Sequence, residues 1–346
     1  MKIDEYGAIA RFLHQLALGS NIVRRTSLEV DLLTNKNNCA NSGVDEPVYI
    51  LGLARAGTTI LLEALYSTGL FASLTYRNMP FVLAPNLWSH FSTGFQKVSG
   101  LAERKHGDNL QVGYDSPEAF EEVFWLTFSN EKYIDNDRLR KHVVNDEVLY
   151  FYKKYIASFL SIKENSSCRY LAKNNNNILR ISSLLKVFPN GRFIVPFRNP
   201  EDHAASLLRQ HRRFVRIHRQ DKFALKYMNW LGHFEFGLNY KPMEIEDGTA
   251  KKDELHSIKY WLRYWASIYD FLLKNHGDDV VFFNYDGLCE NPEKAFEVLA
   301  SYISIDPNLL YSFKHKIAPS NNKENVANTY QKAMDVYNQL LSKSLN

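Results

Sequence analysis

The chain has 346 residues and a formal net charge of +4, and 45% of its residues are hydrophobic and 14% aromatic. This length and apolar content allow one large α/β domain or two smaller ones, and they exclude an intrinsically disordered chain. The three cysteines form no CxxC pair, which argues against a disulfide framework or a zinc site and favours a reducing compartment, so we expect a cytoplasmic protein.

The first 34 residues are predicted to be helical. The segment MKIDEYGAIARFLHQLALGS has acids near its start, and Arg11 and His14 interrupt its apolar residues. This pattern is typical of an amphipathic helix and not of a signal peptide or an anchor. No run of about 18 uncharged apolar residues occurs in the chain, so no membrane span is expected.

A polar, turn-rich stretch, TNKNNCANSGVDEP, follows at 34–47 and is the best candidate for a linker. We therefore predict a helical arm and linker in 1–45 and an α/β domain in 46–320. Residues 321–346 are predicted to form a C-terminal helix packed on that domain.

Four short apolar runs beyond the linker are predicted to be strands. They are VYILGL (48–53), CRYLA (168–172), RFIVPF (192–197) and DVVFFNY (279–285). Their poor alternation is typical of strands buried on both faces of a parallel sheet. Helical patterns lie between them, and one opens at Ser116 as an N-cap, with Pro117 and early acids behind it. The alternation predicts an α/β fold, a central parallel sheet flanked by helices, with binding sites at the carboxyl ends of the strands.

The first predicted strand leads into a glycine loop, GLARAGTT, at residues 52–59. Gly52 and Gly57 are spaced as in the nucleoside-triphosphate loop GxxxxGK[ST], but Thr58 occupies the lysine position. A glycine turn that feeds a helix directs backbone N–H groups and the positive helix end at an anion. Arg55 adds a guanidinium that can bind a phosphate or sulfate with two parallel hydrogen bonds. The alternative is an ordinary βα turn.

The third predicted strand ends at Arg198, and a proline turn and a helix containing Ser206 follow. Arg198 could supply the charge and Ser206 a hydroxyl for a second anion; the alternative is a structural arginine before a capped helix. Seven Arg or Lys residues and three acids lie between Arg198 and Lys222. The excess positive charge of the chain is therefore local, and the helix 209–222 is basic.

The two loops together resemble the paired signatures of the sulfotransferases that use 3′-phosphoadenosine 5′-phosphosulfate (PAPS). In that family the first loop reads roughly G-x-[PA]-[RK]-[SA]-G-T-[TS] and binds the 5′-phosphosulfate. The second, R-[DN]-P-x-D-x-x-x-S, binds the 3′-phosphate. The segments RYLAKNNNNILRISSLLKVFP, WLRYWASIYDFLL and VFFNYDGLCENPEKAFEVLASYISI also match the family's general pattern. The resemblance spans about residues 48–305.

This resemblance implies a P-loop-like sulfotransferase fold and transfer of a sulfuryl group from PAPS to an acceptor hydroxyl, with adenosine 3′,5′-bisphosphate as product. The residues that it places at the 5′-phosphosulfate are Arg55, Ala56, Gly57, Thr58 and Thr59. It places Arg198 and Ser206 at the 3′-phosphate. Lys173 ends the second strand, where relatives often keep a lysine near the transferring sulfate, and it joins Arg55 as a candidate to stabilise the leaving oxygen. No metal is expected.

The general base is not given by the motifs. In the tyrosylprotein branch of the family a glutamate stands just before an arginine after the first helix. Here that segment reads SLTYRNMP, which keeps Arg77 and has no glutamate. Our candidates are His106, which titrates near neutrality, and Glu118, whose pKa a helix N-terminus would lower. We therefore favour His106 slightly.

Other titratable residues near these segments are expected to have structural roles. Glu121 and Glu122 are expected on a solvated helix face. His203, which lies between the two residues assigned to the 3′-phosphate, is also expected to be structural.

The acceptor cannot be identified from the sequence. Residues 75–165 and 235–254 are expected to shape its pocket, and the many Trp and Tyr residues suit a carbohydrate or glycolipid. Two other functions stay open: a nucleotide-dependent small-molecule kinase, against which the missing lysine argues, and a nucleic-acid-binding protein that uses the basic helix 209–222. Under the sulfotransferase interpretation no nucleic-acid partner is expected.

Overall fold

Short strands alternate with longer helices along the chain. The computed structural model describes residues 7–35, 44–92, 102–103, 111–112, 115–162, 168–245, 254–317 and 330–345. The strands in these ranges are β1 (Val48–Ile50), β2 (Phe71–Ala72), β3 (Ala102–Glu103), β4 (Gln111–Val112), β5 (Leu139–Arg140), β6 (Arg169–Lys173), β7 (Arg192–Phe197), β8 (Met243–Glu244) and β9 (Val281–Asn284).

The helices surround these strands, and several begin at a polar cap. Asn145, Asn199, Ser257 and Asn284 each accept a backbone N–H with the side chain, as expected for N-cap residues. The helices are α1 (Ala8–Gly19), α2 (Asn21–Thr34), α3 (Thr58–Ser67), α4 (Pro85–Ser92), α5 (Glu122–Phe128), α6 (Asn130–Tyr133), α7 (Asp146–Ser161), α8 (Ile181–Val187), α9 (Pro200–Gln220), α10 (Lys222–Trp230), α11 (Ile258–His276), α12 (Tyr285–Glu290), α13 (Pro292–Ile303), α14 (Asn308–Tyr311) and α15 (Gln331–Lys343).

Five of the strands form one parallel sheet in the order β2-β6-β1-β7-β9. The four runs predicted as strands supply β1, β6, β7 and β9, so the predicted α/β fold with a central parallel sheet is confirmed. The two-residue edge strand β2 was not predicted. β1 is the central strand, and Ile50 is in register with Lys173 of β6 on one side and Ile194 of β7 on the other.

The sheet divides the hydrophobic core into two layers. In β1 and the residue after it, Val48 and Ile50 point into one layer with α3 and α13, while Tyr49 and Leu51 point into the other. This alternation follows from the two-residue period of a strand. All three residues of β1 are fully buried, which explains why the sequence shows no polar face there.

The helix that was predicted to start at Ser116 begins six residues later, at Glu122. Pro117 instead forms a bridge with Thr75, and the backbone N–H of Glu118 donates to the carbonyl of Leu74 at 3.0 Å. The local N-cap signal is therefore overridden, because the backbone groups of 117–118 pair with the segment 74–75 and are not in a helical conformation. The predicted helix start was wrong.

The terminal helices lie against other helices. α1 and α2 contact each other, α2 packs on α7, and α15 packs on α11. No helix in the described ranges is both long enough and apolar enough to cross a bilayer.

Candidate active site

The carboxyl ends of neighbouring strands bring the predicted site residues to one edge of the sheet. Lys173 ends β6, the loop with Arg55 follows β1, and Arg198 follows β7. Neighbouring strands are about 4.8 Å apart, so these three cations lie side by side in the order of the sheet. Lys173 and Arg198 are each more than a hundred residues from Arg55 in the sequence, and the order of the strands in the sheet brings them together.

The loop after β1 has the backbone conformation of an anion cradle. Gly52 and Gly57 have φ of 141° and 94°, and Arg55 has φ of 72°, a left-handed conformation that residues other than glycine seldom adopt. Gly57 caps α3, so the first N–H groups of that helix have no carbonyl partner within the helix. The strained turn directs these groups toward the carboxyl edge of the sheet.

Tyr285, the first residue of α12, closes one side of this loop. A Cβ added to Gly57 would lie 2.1 Å from Cδ2 of the Tyr285 ring, which is far inside van der Waals contact. The glycine is therefore required for its conformation and also for the space that the ring occupies.

We expect Gly57→Ala to displace Tyr285 and to weaken anion binding at the loop by at least tenfold in isothermal titration calorimetry with adenosine 3′,5′-bisphosphate. Gly69→Ala is the matched control, because Gly69 also has a left-handed φ of 74° but no atom within 4 Å of an added Cβ. Both substitutions cost about 1–2 kcal/mol of backbone strain. If both variants bound the ligand equally, the contact with Tyr285 would have no role in the site.

Arg198 is buried, with 7% of its surface exposed. Its guanidinium lies over the Tyr285 ring, 5.7 Å from the centroid. Two of its nitrogens, Nε and Nη2, are buried and have no hydrogen-bond partner among the described residues. Buried N–H groups without acceptors are costly, so these two nitrogens are suited to an anionic ligand.

Ser206 joins the two loops. It lies in α9 two turns after Arg198, and its Oγ accepts a hydrogen bond of 3.4 Å from Nε of Arg55. The structure therefore brings together the residues that the sequence assigned to two separate anion sites.

His203 fixes the first loop to α9 and α11. Its Nε2 is 2.8 Å from the Ala54 carbonyl, and Nδ1 accepts a hydrogen bond from the Trp265 indole at 3.0 Å. Burial, together with the cations Arg198 and Arg55, lowers the pKa of His203 to about 3 although the Ala54 hydrogen bond opposes this. The ring is therefore neutral at pH 7, with the proton on Nε2 that donates to Ala54. This geometry agrees with the structural role expected for His203.

Glu118 lies beside the segment in which the family's glutamate is missing. Its backbone pairs with Leu74, and its Oε2 accepts a hydrogen bond from the Tyr76 hydroxyl at 3.1 Å. The carboxylate is buried. It does not stand at a helix N-terminus, contrary to our expectation, because α5 starts only at Glu122. The competing candidate, His106, lies outside the described residues.

Glu121 and Glu122 are buried with 2% of their surfaces exposed, so the expectation of a solvated face was wrong. Both accept hydrogen bonds from Asn174, which directly follows Lys173. Arg180 forms a buried ion pair with Glu122 at 2.8 Å. Burial raises the pKa of Glu122, but this ion pair and the hydrogen bonds outweigh it and the net pKa is lowered. The sequence signal that was missed is the tract of four asparagines, whose amides satisfy these buried carboxylates.

The basic helix predicted at 209–222 falls within α9 and the start of α10. Arg212, Arg216 and Arg219 are exposed along one side of α9, whereas Phe214 and His218 are buried. The aromatic residues are therefore not available to stack on nucleic-acid bases, which removes half of the argument for that alternative.

A small cavity lies next to the first loop. It is bordered by Ala54, Asn176, Glu235 and aromatic side chains that include Tyr240 and Trp261. The amide oxygen of Asn176 is buried and has no hydrogen-bond partner among the described residues. Asn176, which carries this unpaired acceptor, therefore borders the same cavity as Ala54, the neighbour of Arg55 in the loop.

Comparison with known proteins agrees with this geometry. The model of the sulfotransferase family matches residues 47–260. No curated protein sequence matches the chain. Sulfotransferase STF9 from Mycobacterium avium has a similar fold, with a TM-score of 0.54 and 14% identity over 97% of this chain and 86% of that chain. Sulfotransferase STF1 from Mycobacterium tuberculosis H37Rv gives a TM-score of 0.46 and 10% identity over 92% and 83%.

Proposed function

Because the chain belongs to the sulfotransferase family and is a sulfotransferase, we propose that its donor is PAPS and its acceptor a hydroxyl of a carbohydrate or glycolipid. The observation that carries the donor is the buried guanidinium of Arg198, which has unpartnered nitrogens at the strand end beside the Arg55 loop. Two anion sites on neighbouring strands suit a nucleotide with phosphate at both the 3′ and 5′ positions. A kinase function is no longer favoured.

The residues present fit this nucleotide. Gly57, whose left-handed conformation shapes the turn and leaves room for the Tyr285 ring, would hold the 5′-phosphosulfate together with Arg55, Ala56, Thr58 and Thr59. Arg198 and Ser206 would hold the 3′-phosphate. When bound, PAPS supplies the sulfuryl group that is transferred. The fixed position of the loop, tied to α9 by His203, holds these donors in place before the ligand binds.

The remaining roles follow from the order of the strands. Lys173, at the end of β6, lies on the side of the loop away from Arg198. There it would stabilise negative charge on the oxygen that leaves, together with Arg55. Glu118 lies beside the segment after β2, one strand further along the same edge. We assign it the role of general base, which takes the proton from the acceptor hydroxyl while the Tyr76 hydroxyl orients its carboxylate.

A carbohydrate acceptor is supported by the polar groups near the first loop. Asn175 and Asn176 each have a buried amide oxygen without a partner among the described residues. The amide nitrogen of Asn175 donates to Glu235 at 2.9 Å, which presents further acceptor oxygens. Sugar hydroxyls donate to such oxygens, so an acceptor with several hydroxyls suits this part of the site.

Calorimetry and a transfer assay test this function together. We expect adenosine 3′,5′-bisphosphate to bind roughly 10–150-fold more tightly than AMP or ATP, since a charged hydrogen-bonding group contributes about 1.5–3 kcal/mol. Labelled sulfate from PAPS should then pass to glycans or glycolipids in a panel that also contains phenols. Equal affinity for AMP would contradict the 3′-phosphate site, and transfer to phenols alone would contradict the acceptor class.

A further inference from the structure

The outward face of α1 is apolar although it lies on the surface, and apolar side chains are also exposed on α2, among polar positions such as Arg25 and Thr26. Thirteen large hydrophobic side chains are exposed among the described residues, and six of them belong to these two helices: Ile9, Phe12, Leu16, Ile22, Val30 and Leu33. The exposed positions of α1 are 8, 9, 12, 15, 16 and 19, and none of them is charged. A surface helix normally has the opposite arrangement, so this concentration indicates a binding surface.

Arg11 and His14, the two residues of α1 that can carry charge, are turned toward α10. The guanidinium of Arg11 lies over the ring of Phe223, 5.0 Å from its centroid. His14 is buried with its ring centroid 5.7 Å from that of Tyr227, and burial lowers its pKa. Both aromatic partners belong to α10. Since these contacts fix the rotation of α1 about its axis, its apolar side is held toward the outside.

Exposed cations flank this apolar face. Lys222 and Lys226 lie in α10 next to Phe223 and Tyr227, which contact α1, and both lysines are exposed. Arg219, one turn before Lys222, is exposed too. α10 contains no acidic residue, and among the described residues none of these cations has an acidic partner within ion-pair distance. The face thus combines apolar side chains with cations that no acid pairs with in the described part of the chain.

We propose that this face of α1 and α2, with Lys222 and Lys226 at its border, docks the protein on an anionic membrane surface. An apolar helix face beside cations is the arrangement with which peripheral proteins lie in the headgroup region. A second copy of the chain fits less well, because a symmetric dimer through this face would bring the same cations of both copies to one rim without acids to neutralise them.

Co-sedimentation of the full chain with lipid vesicles tests the proposal. We expect binding to vesicles of phosphatidylcholine mixed with phosphatidylglycerol, and much weaker binding to phosphatidylcholine alone. Phe12→Glu should reduce the binding at least tenfold. The double variant Lys222→Ala/Lys226→Ala should reduce binding to the anionic vesicles by roughly fivefold for each lysine and leave binding to phosphatidylcholine alone unchanged. Added salt should also weaken the binding of the unchanged chain to the anionic vesicles.

Val143→Glu is the matched control, because Val143 is 85% exposed but lies outside α1, α2 and α10. It should bind vesicles as the unchanged chain does. Circular dichroism and Tm of each variant show that the exposed substitutions leave the fold intact. The proposal is overturned if the chain ignores anionic vesicles, if Val143→Glu loses as much binding as Phe12→Glu, or if Phe12→Glu instead abolishes a dimer in analytical ultracentrifugation.

Discussion

Glu118→Gln is expected to lower kcat of sulfuryl transfer by about 10²–10⁴-fold, the usual contribution of a general base. The amide keeps the volume, and its single oxygen can still accept the hydrogen bond that Oε1 of Glu118 receives from the Ala119 N–H, while its NH2 group can donate to the Tyr76 hydroxyl that now donates to Oε2. It cannot take a proton from the acceptor hydroxyl. Affinity for adenosine 3′,5′-bisphosphate should therefore stay the same, so steady-state kinetics and calorimetry together separate loss of the base from loss of the site.

Asp115→Asn is the control for Glu118→Gln. Asp115 lies three residues earlier and is an exposed carboxylate paired with Arg77, so its neutralisation should change kcat by less than the general base would. If Glu118→Gln retained full activity, the assignment of the base to Glu118 would be wrong. A loss of activity in His106→Ala would then identify the alternative that the sequence favoured slightly.

Arg198→Ala is expected to weaken the binding of adenosine 3′,5′-bisphosphate by roughly 10–150-fold and to leave the binding of AMP unchanged. The lost guanidinium contacts a phosphate that does not react, so kcat at saturating PAPS should change little. The Tm should change little, because the substitution removes two buried guanidinium nitrogens, Nε and Nη2, that have no hydrogen-bond partner among the described residues, and this offsets the lost contact with the Tyr285 ring. Calorimetry with both nucleotides and a thermal melt give these three results.

Arg216→Ala separates a specific contact from the general positive potential of α9. Arg216 is an exposed cation of the same helix, which begins at Pro200 just after Arg198. Its removal should change nucleotide affinity only through long-range charge, which salt screens. If both variants lost the same nucleotide affinity, and if salt abolished both losses, Arg198 would contribute only to the general positive potential. The assignment of a 3′-phosphate site to Arg198 would then be wrong.

The order of the strand ends explains why these two predictions are independent. Arg198 follows β7 and Glu118 lies beside the segment after β2, with β6 and β1 between them. The two residues are therefore near opposite ends of the carboxyl edge, on either side of the Arg55 loop. A substitution at one is expected to add to a substitution at the other, as is usual for residues without shared contacts.

The local parts of the site follow from the sequence itself. The spacing of Gly52 and Gly57 predicts a loop whose left-handed φ angles glycine permits. Four runs without a polar face predict strands buried on both sides, and strand–helix alternation predicts that their carboxyl ends share an edge. Arg55 and Arg198 could be paired from this rule because Arg198 directly follows β7 and Arg55 lies in the loop that follows β1.

Only the tertiary structure decides the contacts that join distant segments. The backbone pairing of Glu118 with Leu74 overrides the helix-start signal at Ser116. The asparagine tract donates hydrogen bonds to Glu121 and Glu122, two buried carboxylates that the sequence pattern places on a solvated face. The same is true of the Tyr285 ring against Gly57, since 228 residues separate them. A sequence pattern reports the conformation that a segment prefers by itself. Which polar group is buried, and against what, depends on partners that only the folded chain brings together.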